Sequence, residues 1–162
     1  MLIEMTIKGL MVDPVTNMPI VILKDRGGER VLPIWVGIFE ANAIALQLES
    51  VATPRPMTHD LLREAISQLE ARVTRVVIND LRESTFFAQI RLVTSSRTLE
   101  LDARPSDAIA LALRTEAPIF VAQSVLEQAQ TISPEGDDEE KDDKLKNFFD
   151  QLGPEDLGKY KM

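Results

Sequence analysis

The same order of elements, three strands followed by a helix, occurs twice along the chain, and this repetition constrains the fold more than any other feature. Residues 2–12, 18–24 and 30–36 are apolar and β-favouring and are separated by turn residues, so they predict three strands. Apolar residues then recur at helical spacing from Ile38 to about Val51. The pattern predicts an α+β fold in which a mixed or antiparallel sheet packs against helices.

The second occurrence has the same sequence of elements. It comprises strands at about residues 73–81, 86–93 and 98–102 and a helix from Arg104-Pro105 onward. Residues 43–48 and 108–113 are identical at five of six positions, which predicts a duplicated βββα unit. The alternative is that alanine–leucine helices resemble each other by chance. If the unit is duplicated, Glu40 and Asp107 lie two positions apart when the two repeats are aligned. The starts of the two repeat helices are then expected to face one cleft.

Other segments connect or follow the repeats. Thr58 is the predicted N-cap of a helix whose apolar stripe consists of Leu61, Leu62, Ala65, Ile66 and Leu69. Residues 118–122 predict a short edge strand, and residues 124–130 predict a last helical turn or two. The compact domain is therefore expected to cover residues 1–130.

The end of the chain differs in composition from this domain. Residues 131–144 predict an acidic disordered linker, and residues 145–162 predict a tail that begins with a short amphipathic helix. Ten acids and five lysines lie in residues 131–162, whereas residues 1–130 contain sixteen acids and thirteen bases. Both parts are thus acidic, which weakens attraction to nucleic acid, although local arginine clusters can still bind phosphate.

Composition excludes several classes of site. The chain has no cysteine, so disulfides, thiolate nucleophiles and Cys-ligated metals are absent. Its single histidine, His59, excludes sites that need two imidazoles. The first residues lack the basic segment of a signal peptide, and no apolar run reaches the length of a membrane span. We therefore expect a cytoplasmic protein that does not cross a membrane.

Three segments carry a resemblance to a known family. They are LPIWVG at residues 32–37 with Glu40-Ala41, RPMTHDLL at residues 55–62 and DARPSDAIALA at residues 102–112. In this order they resemble the bifunctional nuclease family of bacteria and plants, over roughly residues 2–130. The resemblance implies activity on both DNA and RNA, and a cytoplasmic α+β homo-oligomer that is most simply a homodimer.

Carboxylates in these segments predict the catalytic centre. Without cysteine or paired histidines, phosphodiester hydrolysis usually relies on Mg²⁺ or Mn²⁺ held by carboxylates. Glu40, Asp102 and Asp107 are the predicted metal ligands, and Glu40 and Asp107 are also predicted to be catalytic. Acids in a first helical turn, Asp60 among them, also stabilise the helix dipole without any further role.

Basic and polar side chains supply the remaining predicted groups. His59 is predicted to act as a general base, because histidine is the side chain whose unperturbed pKa lies near neutrality. Arg55, Arg104 and Ser106 are predicted to bind the substrate phosphate, the last two beside a helix N-terminus. The alternative for Arg104 is a surface ion pair with Asp102 or Asp107. Trp35 is expected in the core or at an interface, with base stacking as the alternative.

Two further functions remain open at this point. One is a non-catalytic binding or regulatory module, which fits the acidic charge and the amphipathic tail. The other is a hydrolase of small phosphorylated molecules, which needs a phosphate site but no basic track for nucleic acid.

Overall fold

A computed structural model describes residues 1–131, which form seven strands and four helices in the predicted order. The elements are β1 (Leu2–Val12), β2 (Pro19–Asp25), β3 (Val31–Trp35), α1 (Ile38–Leu48), α2 (Thr58–Gln68), β4 (Arg72–Arg82), β5 (Thr85–Val93), β6 (Thr98–Ala103), α3 (Pro105–Thr115), β7 (Ile119–Ala122) and α4 (Gln123–Thr131). None of these helices is long and apolar enough to span a membrane. The predictions for residues 132–162 lie outside the described residues.

All seven strands belong to one mixed sheet in the order β3-β2-β1-β7-β4-β5-β6. The first three strands and the next three each form an antiparallel meander. β7 joins the two meanders, antiparallel to β1 and parallel to β4. The prediction of an edge strand at residues 118–122 is therefore wrong. A strand of four residues carries no local sequence signal for which strands it pairs with. Here the two pairing strands come from opposite halves of the chain.

The two predicted repeat helices begin in the same way. α1 and α3 each have eleven residues and follow Gly37 and Arg104 respectively, both with extended backbones. Glu40 and Asp107 are each the third residue of their helix, so they occupy the same position rather than positions two residues apart. The α+β architecture is as predicted, and the duplication itself stays a prediction.

Helix α3 lies at the centre of the packing. It contacts α1, α2, β4 and β5, and Ala108 to Ala112 are all buried. A helix that is apolar on all sides can be stable only if it is covered on all sides. The first turn of α3 is thereby held among the neighbouring helices.

Helix α2 differs from the prediction. Of its expected apolar stripe only Ile66 is buried, whereas Leu61 and Leu69 are 61% and 78% exposed. The helix also begins differently, because Met57 rather than Thr58 is the N-cap residue, and the Asp60 carboxylate accepts the Met57 backbone N–H at 2.9 Å. Helical periodicity predicts this helix, but it does not determine how much of the apolar stripe the domain covers.

Candidate functional site at three helix starts

The starts of α1, α2 and α3 meet at one place, and each carries an acid. Glu40, Asp60 and Asp107 are the third residues of their helices. At this position a carboxylate interacts favourably with the positive end of the helix dipole, by about 0.3–1 kcal/mol for an exposed group. Basic side chains link the first turns of the three helices.

Arg104 joins the starts of α1 and α3. Its Nε donates to Asp107 Oδ2 at 2.8 Å, and its Nη2 donates to Glu40 Oε1 at 2.9 Å. The Arg104 side chain is 65% exposed, whereas those of Glu40 and Asp107 are 17% and 29% exposed. The guanidinium thus forms the outer part of the cluster, and the two carboxylates lie beneath it.

His59 joins the start of α2 to that of α3. Its Nε2 lies 2.9 Å from Asp107 Oδ1, so both oxygens of Asp107 are engaged by basic side chains. An ionised carboxylate only accepts hydrogen bonds, so Nε2 carries the proton and Nδ1 is the nitrogen with a free lone pair when the ring is neutral. The His59 side chain is 12% exposed, so most of its surface is covered by the protein.

These contacts set the charge of the cluster. Burial is the largest single influence on the Asp107 carboxyl and raises its pKa. The hydrogen bonds from Arg104 and His59 and the charge interactions with both side chains together outweigh it, so the net pKa lies below its ordinary value. The hydrogen bonds to Asp107 and then to Glu40 raise the pKa of the Arg104 guanidinium. Asp107 is thus an anion and Arg104 a cation at neutral pH.

A second basic group, Arg114, lies behind this cluster and was not singled out from the sequence. Its Nε donates to Asp60 Oδ1 at 2.7 Å, and its other nitrogens donate to the carbonyls of Ala110 and Ala43, each at 2.9 Å. The side chain is only 2% exposed. The available signal was a single arginine after the apolar run at residues 108–113, but nothing in the sequence identifies its partners.

The absence of a side chain at Gly37 leaves the space that the Glu40 carboxylate occupies. A Cβ atom at Gly37 would overlap Glu40 Oε2, because the side chain of Glu40 folds back toward the start of its own helix. The φ of Gly37 is −68°, which any residue adopts, so the need for glycine here is steric.

The other predicted ligands are not joined to this cluster. Among residues 1–131 no hydrogen bond or ion pair connects Asp102 or Arg55 to it; Asp102 lies on β6 opposite Gln89, and Arg55 is exposed in the loop before α2. Ser106 is in α3 but only 6% exposed, which leaves little surface for a phosphate. Within the described part of the chain, no three His, Cys, Asp or Glu side chains are grouped to hold a metal.

Trp35 lies at the end of β3, and its placement in the core was wrong. The side chain is 52% exposed, and its Nε1 donates to Asp13 Oδ2 at 3.0 Å. Asp13 belongs to the turn after β1, so this bond fixes the edge of the indole. Interface and stacking roles both remain compatible with a half-exposed ring.

Comparison with known proteins identifies the family. The sequence model of the bifunctional nuclease domain matches residues 21–134. An uncharacterized protein of Mycobacterium tuberculosis is 40% identical over 162 residues, which cover 95% of this chain and 97% of that protein. Bifunctional nuclease 1 of Oryza sativa subsp. indica is 26% identical over 70% of this chain, and Bifunctional nuclease 2 of the japonica subspecies is 29% identical over 66%. These matches span only 35% and 34% of the two rice proteins. The chain belongs to the bifunctional nuclease family.

Proposed function

We propose that this protein is a nuclease that hydrolyses phosphodiester bonds in DNA and RNA. The observation that carries the proposal is the meeting of an exposed arginine, a histidine and two carboxylates at three helix starts. Arg104, His59, Glu40 and Asp107 are all within direct bonding distance of a neighbour in this group. The rice relatives named bifunctional nucleases support the same activity.

Arg104 is the proposed ligand of the phosphate. Its guanidinium is 65% exposed and lies where helix N-termini already favour anions. Arginine suits this role because its planar group donates two parallel hydrogen bonds to phosphate oxygens. In this structure Nε and Nη2 of Arg104 are engaged by Asp107 and Glu40, so a phosphate bound through this edge of the guanidinium exchanges carboxylate partners for phosphate oxygens.

His59 is the proposed general base. The Asp107 carboxylate fixes the ring through Nε2 and stabilises the imidazolium that forms when Nδ1 takes a proton. Because the side chain is only 12% exposed, His59 is proposed to act on a water molecule rather than to contact a nucleotide directly. A water attacking phosphorus is also a nucleophile that DNA and RNA can share, since it does not depend on the 2′-hydroxyl.

Metal assistance fits this site only in a limited form. Mg²⁺ and Mn²⁺ are often held by one or two carboxylates together with substrate phosphates, and Glu40 and Asp107 are the two carboxylates available once Arg104 turns to the phosphate. A divalent cation would supply positive charge where charge builds on the phosphate oxygens. Asp102, the third ligand predicted from the sequence, has no contact among the described residues that would bring it to the same place.

The proposal is tested by cleavage of labelled single-stranded RNA and double-stranded DNA by purified protein with Mg²⁺, Mn²⁺ or EDTA. We expect Glu40→Gln and Asp107→Asn to reduce the rate by about 100-fold or more. Glu100→Gln is the matched control, because Glu100 pairs with Arg91 on β5, away from the cluster. Equal cleavage rates in the wild type and all three variants would identify a contaminating nuclease. Cleavage that occurs with Mg²⁺ or Mn²⁺ and is lost when EDTA is added would establish the metal requirement.

The charge of the domain favours a second candidate, a hydrolase of small phosphorylated molecules. Residues 1–130 contain sixteen acids and only thirteen bases, and a net negative domain attracts polyanions poorly. A small phosphorylated substrate needs Arg104 but no basic track. Hydrolysis of a small phosphodiester with no cleavage of RNA or DNA would favour this candidate.

The homodimer and the cytoplasmic location stay predictions. Phe39, Leu61 and Leu69 are 87%, 61% and 78% exposed, and a contiguous patch of such side chains would favour contact with a second subunit. Light scattering during size-exclusion chromatography tests the dimer, and Phe39→Ser is the variant most expected to weaken it.

A further inference from the structure

Arg114 ties together the three helices whose first turns form the candidate site. Its guanidinium contacts the carbonyl of Ala43 in α1, the carboxylate of Asp60 in α2 and the carbonyl of Ala110 in α3. Ala43 and Asp60 lie 71 and 54 residues before Arg114 in the chain. At 2% exposure the side chain has no surface to offer a substrate, so any role it has in the reaction is indirect.

The link to the reacting groups runs through Asp60. One oxygen of Asp60 accepts from Arg114, and the other accepts the backbone N–H of Met57, which precedes α2. Both oxygens are thus fixed, and the first turn of α2 is fixed with them. His59 is the adjacent residue in that turn, and its ring reaches Asp107 at 2.9 Å.

We propose that Arg114 is a positioning residue of the candidate site, which holds α2 against α1 and α3 so that the His59 ring meets the Asp107 carboxylate. This proposal rests on the proposed function for its effect on catalysis. Its structural part, the placement of His59, holds or fails independently of any nuclease activity.

Arginine is needed here because the three acceptors lie on three different helices. A guanidinium has five N–H donors in a rigid plane, whereas the lysine ammonium is a compact group on a flexible stem and cannot reproduce that fork. Arg114→Lys therefore keeps the charge and loses the geometry. Asp60→Ala breaks the same link by removing the acceptor, and it leaves Arg114 with its two carbonyl acceptors.

The first experiment uses the single histidine of the chain as a probe. Its ring ¹⁵N signals are recorded at one fixed pH in the wild type, Arg114→Lys, Asp60→Ala and the control Arg82→Lys. Arg82 is an exposed arginine that also pairs with an aspartate, on the β4–β5 hairpin. We expect one tautomer, protonated at Nε2, in the wild type and the control, and averaged signals of exchanging tautomers in the other two.

The second experiment measures cleavage by the same proteins. We expect kcat to fall about tenfold or more in Arg114→Lys with KM changed by less than about twofold, because misplacement by about 1 Å is costly while Arg104 still binds phosphate. Wild-type histidine signals in folded Arg114→Lys would overturn the proposal, whatever the rates. If Arg114→Lys does not fold, Asp60→Ala decides in the same way. Altered histidine signals in a protein without nuclease activity would keep the positioning role and reject the nuclease.

Discussion

The buried pair of Arg114 and Asp60 yields a prediction about stability that follows from unequal exposure. The Arg114 side chain is 2% exposed and that of Asp60 is 23% exposed, and they meet at 2.7 Å. If the arginine is removed, the remaining carboxylate can be hydrated and keeps the Met57 N–H. If the aspartate is removed, the remaining guanidinium cannot reach water. The two truncations should therefore differ in cost.

The magnitudes follow from the partners that each variant leaves behind. Removing one member of a buried ion pair costs about 3–5 kcal/mol, and because Arg114 keeps two carbonyl acceptors we expect about 3 kcal/mol for Asp60→Ala. Arg114→Met loses three hydrogen bonds at about 1 kcal/mol each and regains part of this through apolar burial, so we expect about 1–2 kcal/mol. The double variant should cost about 2–3 kcal/mol, which is about 2 kcal/mol less than the sum.

Urea unfolding followed by circular dichroism at neutral pH measures the three free energies. Equal m-values across the proteins are needed for the comparison, because a changed slope reports a changed denatured or native state. Additive effects within about 0.5 kcal/mol, or a larger cost for Arg114→Met than for Asp60→Ala, would refute the reasoning from exposure.

Three further predictions concern other parts of the domain. The pKa of Asp107 is lower in the folded than in the unfolded protein. Its contribution to stability is therefore present above the unfolded pKa of about 3.9 and is lost as the pH falls through the lower folded pKa. Acid titration of Asp107→Asn should show a smaller loss of unfolding free energy below about pH 4 than the wild type. Gly37→Ala should displace the Glu40 carboxylate and reduce cleavage while the free energy of unfolding, measured in urea, changes by less than about 1 kcal/mol. Glu83 and Ser84 both have positive φ, 48° and 62°, so Glu83→Asn with Ser84→Gly should raise the thermal midpoint through a gain of about 1 kcal/mol.

Local patterns in the sequence were sufficient to predict most elements of this fold. Period-two and helical spacing located the strands and helices, and Pro105 marked the start of α3 as the first helical residue. Those patterns predicted β7 as a strand but wrongly placed it at the sheet edge, because its position between β1 and β4 depends on pairing with distant strands. They also did not show that α2 leaves most of its apolar stripe exposed, since periodicity identifies a face but not what covers it.

The candidate site was predicted in part, for a similar reason. The repeat suggested that Glu40 and Asp107 share a cleft, and the structure brings them together through Arg104, with His59 bound to Asp107. Arg114 could not be chosen from the sequence, because its role depends on acceptors in two other helices. Side chains in a first helical turn are indicated by local sequence, whereas their bonding across helices is determined by packing.

Comparison of two matched arginine variants tests the central claim most directly. Arg104 and Arg82 are 65% and 68% exposed and each pairs with an aspartate, but only Arg104 lies at the three helix starts. Cleavage of one labelled RNA is measured for the wild type, Arg104→Gln and Arg82→Gln. The account predicts a loss of about 100-fold or more in kcat/KM for Arg104→Gln and wild-type activity for Arg82→Gln. Equal activity of the two variants, or a wild type without activity, would contradict it.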